Sequence, residues 1–200
     1  MGKVVFFDLD GTLYDNSRLP SLMVLRAFRG NFLRNLRLMS AERRCRRKLS
    51  RNAKGTVGYD TLFQMMSSKV HAPADSIREW YNLWYMTTMV DVISRNCGPR
   101  EGVQAKLIAL RTDGARLAVL SDYGFVREKL EALGIDPNLF EALLDAPSMG
   151  GFKPSPDVFR AACQYMRCKP EDAMMVGDRP DTDGGSVSIG LPFTEIVNFL

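Results

Sequence analysis

Asp8 and Asp10 stand two residues apart in Phe7-Asp8-Leu9-Asp10-Gly11-Thr12-Leu13, directly after the apolar run Val4-Val5-Phe6-Phe7. Two carboxylates at that spacing can divide the work of a displacement at phosphorus, one attacking while the other handles the proton. Gly11 lets the backbone come close enough for amides to contact phosphate oxygens, and Thr12 adds a hydroxyl to the same loop. Other polar groups follow apolar runs of their own. Ser121 ends Leu117-Ala118-Val119-Leu120, with Asp122 beside it; Lys153 lies in Phe152-Lys153-Pro154-Ser155-Pro156; Asp178 and Asp183 come after Val176-Gly177. A hydroxyl and an ammonium can neutralise charge on a transferring phosphoryl group. Clustered carboxylates repel one another unless a cation sits among them, and an all-oxygen site suits Mg²⁺. Each group also has a plainer reading: Ser121 or Asp183 as a helix cap, Lys153 as a surface lysine, Asp122 as a cap or loop carboxylate. Two carboxylates against a buried strand, by contrast, need a partner.

These groups can meet only if the runs before them are neighbouring strands, because open parallel sheets bind ligands at their carboxyl ends. Strands are predicted at 4–7, 116–120, 142–145, 173–176 and 193–197, with helices at 103–111, 126–133 and 157–167 between them. That alternation describes an α/β, Rossmann-like parallel sheet. A helical block of about 80 residues interrupts it after the first strand. Within the block, Leu22, Leu25, Phe28, Phe32, Leu33, Leu36 and Leu38 recur at helical spacing, so 19–51 reads as one helix, broken at Arg51-Asn52-Ala53-Lys54-Gly55. Helical spacing returns at 59–70 and 76–93; the latter carries Trp80, Tyr81, Leu83, Trp84, Tyr85 and Met86, read as the core of a helical subdomain. Cys97-Gly98-Pro99 closes the block in the manner of a hinge.

Composition sets the outer bounds. Two hundred residues, 46% apolar and 25% charged, fit an ordinary globular protein with one core and a small accessory domain. No apolar run approaches the ~20 residues that cross a bilayer, and Val4–Phe7 is too short for a signal-peptide core. A cytoplasmic location without membrane attachment is therefore expected. Cys45, Cys97, Cys163 and Cys168 show no CxxC spacing and His71 is the only histidine, which argues against zinc and against histidine-based triads. Charge is uneven: residues 15–100 hold 16 Lys/Arg against 6 Asp/Glu, and Glu42 is the only acid between Arg26 and Lys54. The plain reading is a solvated helical face; attraction of phosphorylated substrates is a second. Nucleic-acid binding is not expected, since no helix-turn-helix, zinc-finger or aromatic RNA signature is present.

The four motifs together resemble those of the haloacid dehalogenase-like hydrolase superfamily, in its phosphatase branch with a helical cap after the first motif (phosphoglycolate phosphatase-like). Phe7–Leu13 is similar to the first motif, Leu117–Ser121 to the second and Phe152–Pro156 to the third. Val176-Gly177-Asp178-Arg179-Pro180-Asp181-Thr182-Asp183 resembles the acidic fourth, in its G-D-x₄-D form. The resemblance implies a Rossmann-like catalytic core of residues 1–14 and 99–200 and an inserted α-helical cap of residues 15–98. It implies that Asp8 attacks phosphorus and becomes an aspartyl phosphate, while Asp10 protonates the leaving alcohol and then activates water. Ser121 and Lys153 join them as catalytic residues, and Gly11, Thr12 and Asp122 are candidates for phosphate contact. Mg²⁺ would be held by the Asp8 carboxylate, the Asp10 carbonyl and Asp178, with Asp183 in support and Asp181 its rival. The aspartate at position 10 separates phosphatases and phosphomutases from the metal-free dehalogenases. The expectation is Mg²⁺-dependent hydrolysis of a small phosphorylated metabolite. A phosphomutase, a non-catalytic phosphate-sensing protein and a receiver-like domain are the alternatives. One departure stands out: Gly184-Gly185-Ser186-Val187-Ser188 replaces the family's alanine-rich helix start.

Overall fold

The computed structural model describes residues 3–52 and 57–200. Among these residues, five strands form one sheet: Val4–Phe7 (β1), Arg116–Ser121 (β2), Ala142–Asp145 (β3), Ala173–Gly177 (β4) and Phe193–Glu195 (β5). Their order is β3-β2-β1-β4-β5 and every pairing is parallel, with Phe7 of β1 opposite Val119 of β2 and Val176 of β4. Successive side chains of a strand point to opposite faces. Val5 and Phe7 accordingly enter one apolar cluster while Val4 and Phe6 enter another. Both faces of β1 are buried, which is why its four residues are all apolar. The fold is the α/β, Rossmann-like one expected. The chain builds outward from β1 to β3 and then returns to place β4 on the other side of β1, so the sheet's switch point falls between the ends of β1 and β4.

Helices α1 (Leu19–Ala27), α2 (Phe32–Asn52), α3 (Tyr59–Val70), α4 (Ala74–Trp80) and α5 (Thr87–Asn96) lie between β1 and the next core helix, α6 (Val103–Thr112). The single helix predicted over 19–51 is two. The chain turns at Arg29-Gly30-Asn31, and the Asn31 side chain caps α2 by accepting from the Arg34 amide at 3.2 Å. The turn resets the phase of the apolar stripe. Leu19, Met23 and Ala27 are buried on α1 and Leu38, Ala41, Cys45 and Leu49 on α2, while Leu25, Phe28 and Leu33 face out. The break predicted at 51–55 lies, from residue 53 on, outside the described residues.

The predicted helix over 76–93 runs through α4 and α5, joined by a π-helical stretch, Tyr81–Met86. Its wider turn leaves Leu83 exposed and buries Tyr81, Tyr85 and Met86 with Trp80. The last predicted strand stops at Glu195; Ile196–Phe199 (α9) then turns inward and Phe199 packs edge-on against Phe7. The remaining helices, α7 (Val126–Ala132) and α8 (Pro156–Tyr165), follow β2 and the Lys153 loop. Cys163 is buried in the cluster under α8 and Cys45 in that of α2, so both are packed as free thiols.

The helical block leaves and rejoins the sheet at one place, where the Arg100 amide donates to the Leu13 carbonyl at 2.7 Å. Most of the basic charge of α2 is solvated: Arg43, Arg44, Arg47, Lys48 and Arg51 are exposed. Arg46 is the exception, buried and ion-paired with Glu42 at 2.5 Å. Among the described residues no helix is long and apolar enough to cross a membrane.

Candidate active site

Asp8 is the first residue beyond β1, and its amide still donates to Val176 of β4 at 2.9 Å. Its carboxylate is therefore fixed at the switch point, with Asp178 one residue past the end of β4 beside it. Gly11 makes this approach possible. It has φ +105°, and a Cβ there would fall 2.5 Å from an Asp178 carboxylate oxygen. The Thr12 hydroxyl lies 2.9 Å from Asp8 and 3.1 Å from Asp178, with one proton to serve both.

Lys153 is buried and donates from Nζ to Asp8 at 2.7 Å and to Asp183 at 2.6 Å. Asp122 holds the lysine's loop in place: its carboxylate accepts from the Lys153 amide at 3.0 Å. Oxygens of Asp8, Asp178 and Asp183 all lie within 4.8 Å of one another. Asp181, the rival in the acidic loop, is exposed and pairs with Arg179 at 2.8 Å instead.

The charge of this group is unbalanced, because three carboxylates share one ammonium. Burial pushes the Asp8 carboxyl up to about 7 against the pull of Lys153, with Asp183 and Asp10 adding repulsion. Burial raises Asp178 as well, with the Asp8 charge adding to it, and raises Asp183 despite its own bond to Lys153. Burial alone would lower Lys153, yet Asp183 and Asp8 hold its ammonium well above the usual lysine range.

The segment 183–189 is a 3₁₀ helix rather than the α-helix usual in the family. Gly185 explains the departure: a Cβ there would lie 2.6 Å from the Pro154 carbonyl, so the acidic loop packs directly on the lysine loop. That packing sets Asp183 over Lys153.

Asp10 points into a different set of partners. Tyr14 donates to one of its oxygens at 2.7 Å and Ser121 to the other at 3.1 Å. Lys129, from α7, donates to both, at 3.0 and 2.8 Å. The Lys129 side chain is wholly buried. Burial and the nearby Asp10 charge both raise the Tyr14 hydroxyl, keeping it a proton donor.

The structure thus brings Asp8, Thr12, Lys153, Asp178 and Asp183 together on one side and Asp10 with Ser121 on the other. Three contributors were not foreseen. Tyr14 stands four residues after Asp10 and offered a weak local signal. Arg100 donates to the carbonyls of Gly11 at 2.6 Å and Thr12 at 3.1 Å, bracing the loop from the far end of the helical block. Lys129 had no signal, since its neighbours Arg127, Glu128 and Glu131 read as a solvated helix face.

The helical block reaches this site through Arg46, whose guanidinium donates to the Asp122 carbonyl and to Tyr81 and lies 4.1 Å over the Tyr123 ring. Ser50 adds a hydrogen bond to the Lys153 carbonyl. Both contacts fall on the loops that carry Ser121 and Lys153.

The chain is 30% identical over 185 residues to the glyceraldehyde 3-phosphate phosphatase of Methanothermobacter thermautotrophicus, covering 92% of this chain and 80% of that one. It is 28% identical over 213 residues to the N-acylneuraminate-9-phosphatase of Rattus norvegicus, covering 98% and 82%. Among solved structures, CbbY from Rhodobacter sphaeroides in complex with phosphate superposes with a TM-score of 0.66 at 21% identity, covering 98% of this chain and 86% of that one. That likeness bears on the fold alone. The pattern of the haloacid dehalogenase-like hydrolases matches residues 3–185, which takes in the whole of the site just described. The chain belongs to the haloacid dehalogenase-like hydrolases, in their phosphatase branch.

Proposed function

We propose that this protein is a Mg²⁺-dependent phosphatase that hydrolyses a small phosphate monoester through an aspartyl phosphate on Asp8. The observation that carries the reading is the division of the loop: Asp8 is held by Lys153 and Thr12, while Asp10 is held apart by Ser121, Tyr14 and Lys129. A nucleophile and a proton carrier need such separate settings.

The donor set fits a hard divalent cation. Its oxygens converge, and its surplus of buried negative charge asks for positive charge beyond that of Lys153. The carboxylates of Asp8 and Asp178 and the carbonyl of Asp10 would hold Mg²⁺, with Asp183 steadying Lys153 beside them. When bound, the cation would supply charge neutralisation for the incoming phosphoryl oxygens.

Asp8 Oδ attacks phosphorus, and Lys153 and Ser121 bind phosphoryl oxygens as charge shifts onto them. Asp10, once it has taken up a proton from solvent, gives that proton to the departing alcohol oxygen and is left as the carboxylate paired with Lys129. It then takes a proton from the water that cleaves the acyl phosphate. The helical block acts as a cap over the site, and Arg46 and Ser50 fasten it to the loops of Ser121 and Lys153. The relatives named above act on phosphorylated three-carbon and sugar-acid metabolites by their names, and a substrate of that class is proposed here.

Phosphate release from a panel of metabolite phosphates, with Mg²⁺ and with a chelator, tests the proposal. Turnover should need Mg²⁺, and Asp8→Asn should remove it by at least ~10⁴-fold while the circular dichroism spectrum is unchanged. Activity surviving in Asp8→Asn would rule out the covalent mechanism.

A further inference from the structure

We infer that Lys129 is a positioning residue of the reaction, acting through Asp10. The inference rests on the phosphatase reading and adds a residue to it. Lys129 leaves the pattern of its own helix: Arg127 and Glu131 are exposed and face each other across 4.0 Å, whereas Lys129 turns inward and its side chain is fully buried. Among the described residues its ammonium has one carboxylate within ion-pair distance, that of Asp10. The Tyr123 ring covers it, 5.2 Å from Nζ.

A buried ion pair is costly to form, and replacing both its partners by well-packed apolar side chains often serves stability as well or better. Packing alone therefore does not account for a lysine here. What the ammonium adds is geometry. Tyr14 and Ser121 each touch a single oxygen of Asp10, while Lys129 spans both, so the plane of the carboxylate is fixed on the Ser121 side of the loop. Proton transfer to a leaving oxygen is sensitive to displacements of about 1 Å in the donor. Lys129 holds Asp10 to that tolerance without touching the substrate.

The test uses the full-length protein with Mg²⁺ and two probes, glycerol 3-phosphate and p-nitrophenyl phosphate. The value of kcat/KM covers events up to departure of the leaving group. An alkoxide needs a proton from Asp10 to leave; p-nitrophenolate does not. Lys129→Met should lower kcat/KM about 100-fold on glycerol 3-phosphate and less than about threefold on p-nitrophenyl phosphate. In an Asp10→Asn background the same substitution should cost nothing further, because the group it acts through has been removed.

Equal losses on both probes, or a full loss persisting in the Asp10→Asn background, would overturn the role and leave Lys129 as a structural residue. Should Lys129→Met fail to fold, Lys129→Gln keeps a donor near the carboxylate and should show the same selective loss in smaller measure. A loss that is equal on both probes there overturns the inference too. Absence of wild-type turnover on both probes and on every phosphate of the metabolite panel would instead sink the phosphatase reading, and this inference with it.

Discussion

On the Asp8 side of the loop, the ammonium of Lys153 is shared by Asp8 and Asp183, with the half-buried Asp178 beside them; on the Asp10 side, one carboxylate has the ammonium of Lys129 to itself. The two aspartates are two residues apart on the same strand end, so sequence position does not distinguish them. Their surroundings do. Asp8 sits where negative charge is in excess and a cation or an electrophilic phosphorus would relieve it. Asp10 sits where charge is already balanced and the carboxylate is fixed in orientation. Under the proposed mechanism, a nucleophile and a proton carrier would thus be made from one residue type by the lysines beside them.

The same substitution should expose this difference. Of the two lysines, the larger effect is expected at Lys153, whose ammonium bonds both Asp8 and Asp183. Lys153→Met should lower kcat by about 10³-fold, read as phosphate release at saturating substrate, and a drop below tenfold would break the assigned asymmetry. Asp10→Asn comes next, because it strands the buried Lys129 charge. Denaturant unfolding should show a loss of about 3 kcal/mol, and Lys129→Met added to it should restore most of that loss.

Asp8→Asn, measured without metal near pH 8, should have the opposite sign. It removes one of three repelling carboxylates, so stability should rise by about 1 kcal/mol, seen as a Tm higher by roughly 2–4 °C.

The smallest expected effect is the most specific. Asp8 is raised from an ordinary 3.8 to about 7, so the folded protein keeps a proton that the unfolded chain has already lost between those values. Its contribution to stability is full below the unfolded value and fades as pH climbs through 7. A cation replaces that proton and binds best once it has gone. The rise in Tm on adding Mg²⁺ should therefore be larger near pH 8 than near pH 5.5, and a rise independent of pH would place the cation elsewhere.

Much of this was legible in the residues themselves. Strands buried on both faces advertise themselves as short apolar runs, and polar groups at their ends are confined by the sheet to one edge; Asp8, Ser121, Lys153, Asp178 and Asp183 were found that way. Helix phase was less accessible. Gly30-Asn31 is the local mark of the turn at residues 29–31, but the apolar spacing runs on across it, and missing that turn assigns Leu25, Phe28 and Leu33 to a core they do not reach.

Lys129 and Arg46 were invisible for a common reason. Each lies among charged neighbours on an amphipathic helix and is buried only because its partner is remote in the chain, Asp10 at a separation of 119 residues and the Asp122 carbonyl at 76. Pairings of that kind are made by tertiary structure, and no local periodicity encodes them.

The hydrogen bond between Arg100 and Leu13 has an evolutionary meaning beyond bracing the loop. A segment whose two ends meet at one hydrogen bond can be lengthened, shortened or exchanged without asking the sheet to move. The catalytic half can then stay constant while the other half diversifies. Exchanges of helix in that segment would leave the loops below undisturbed where they keep the contacts of Arg46, Ser50 and Arg100.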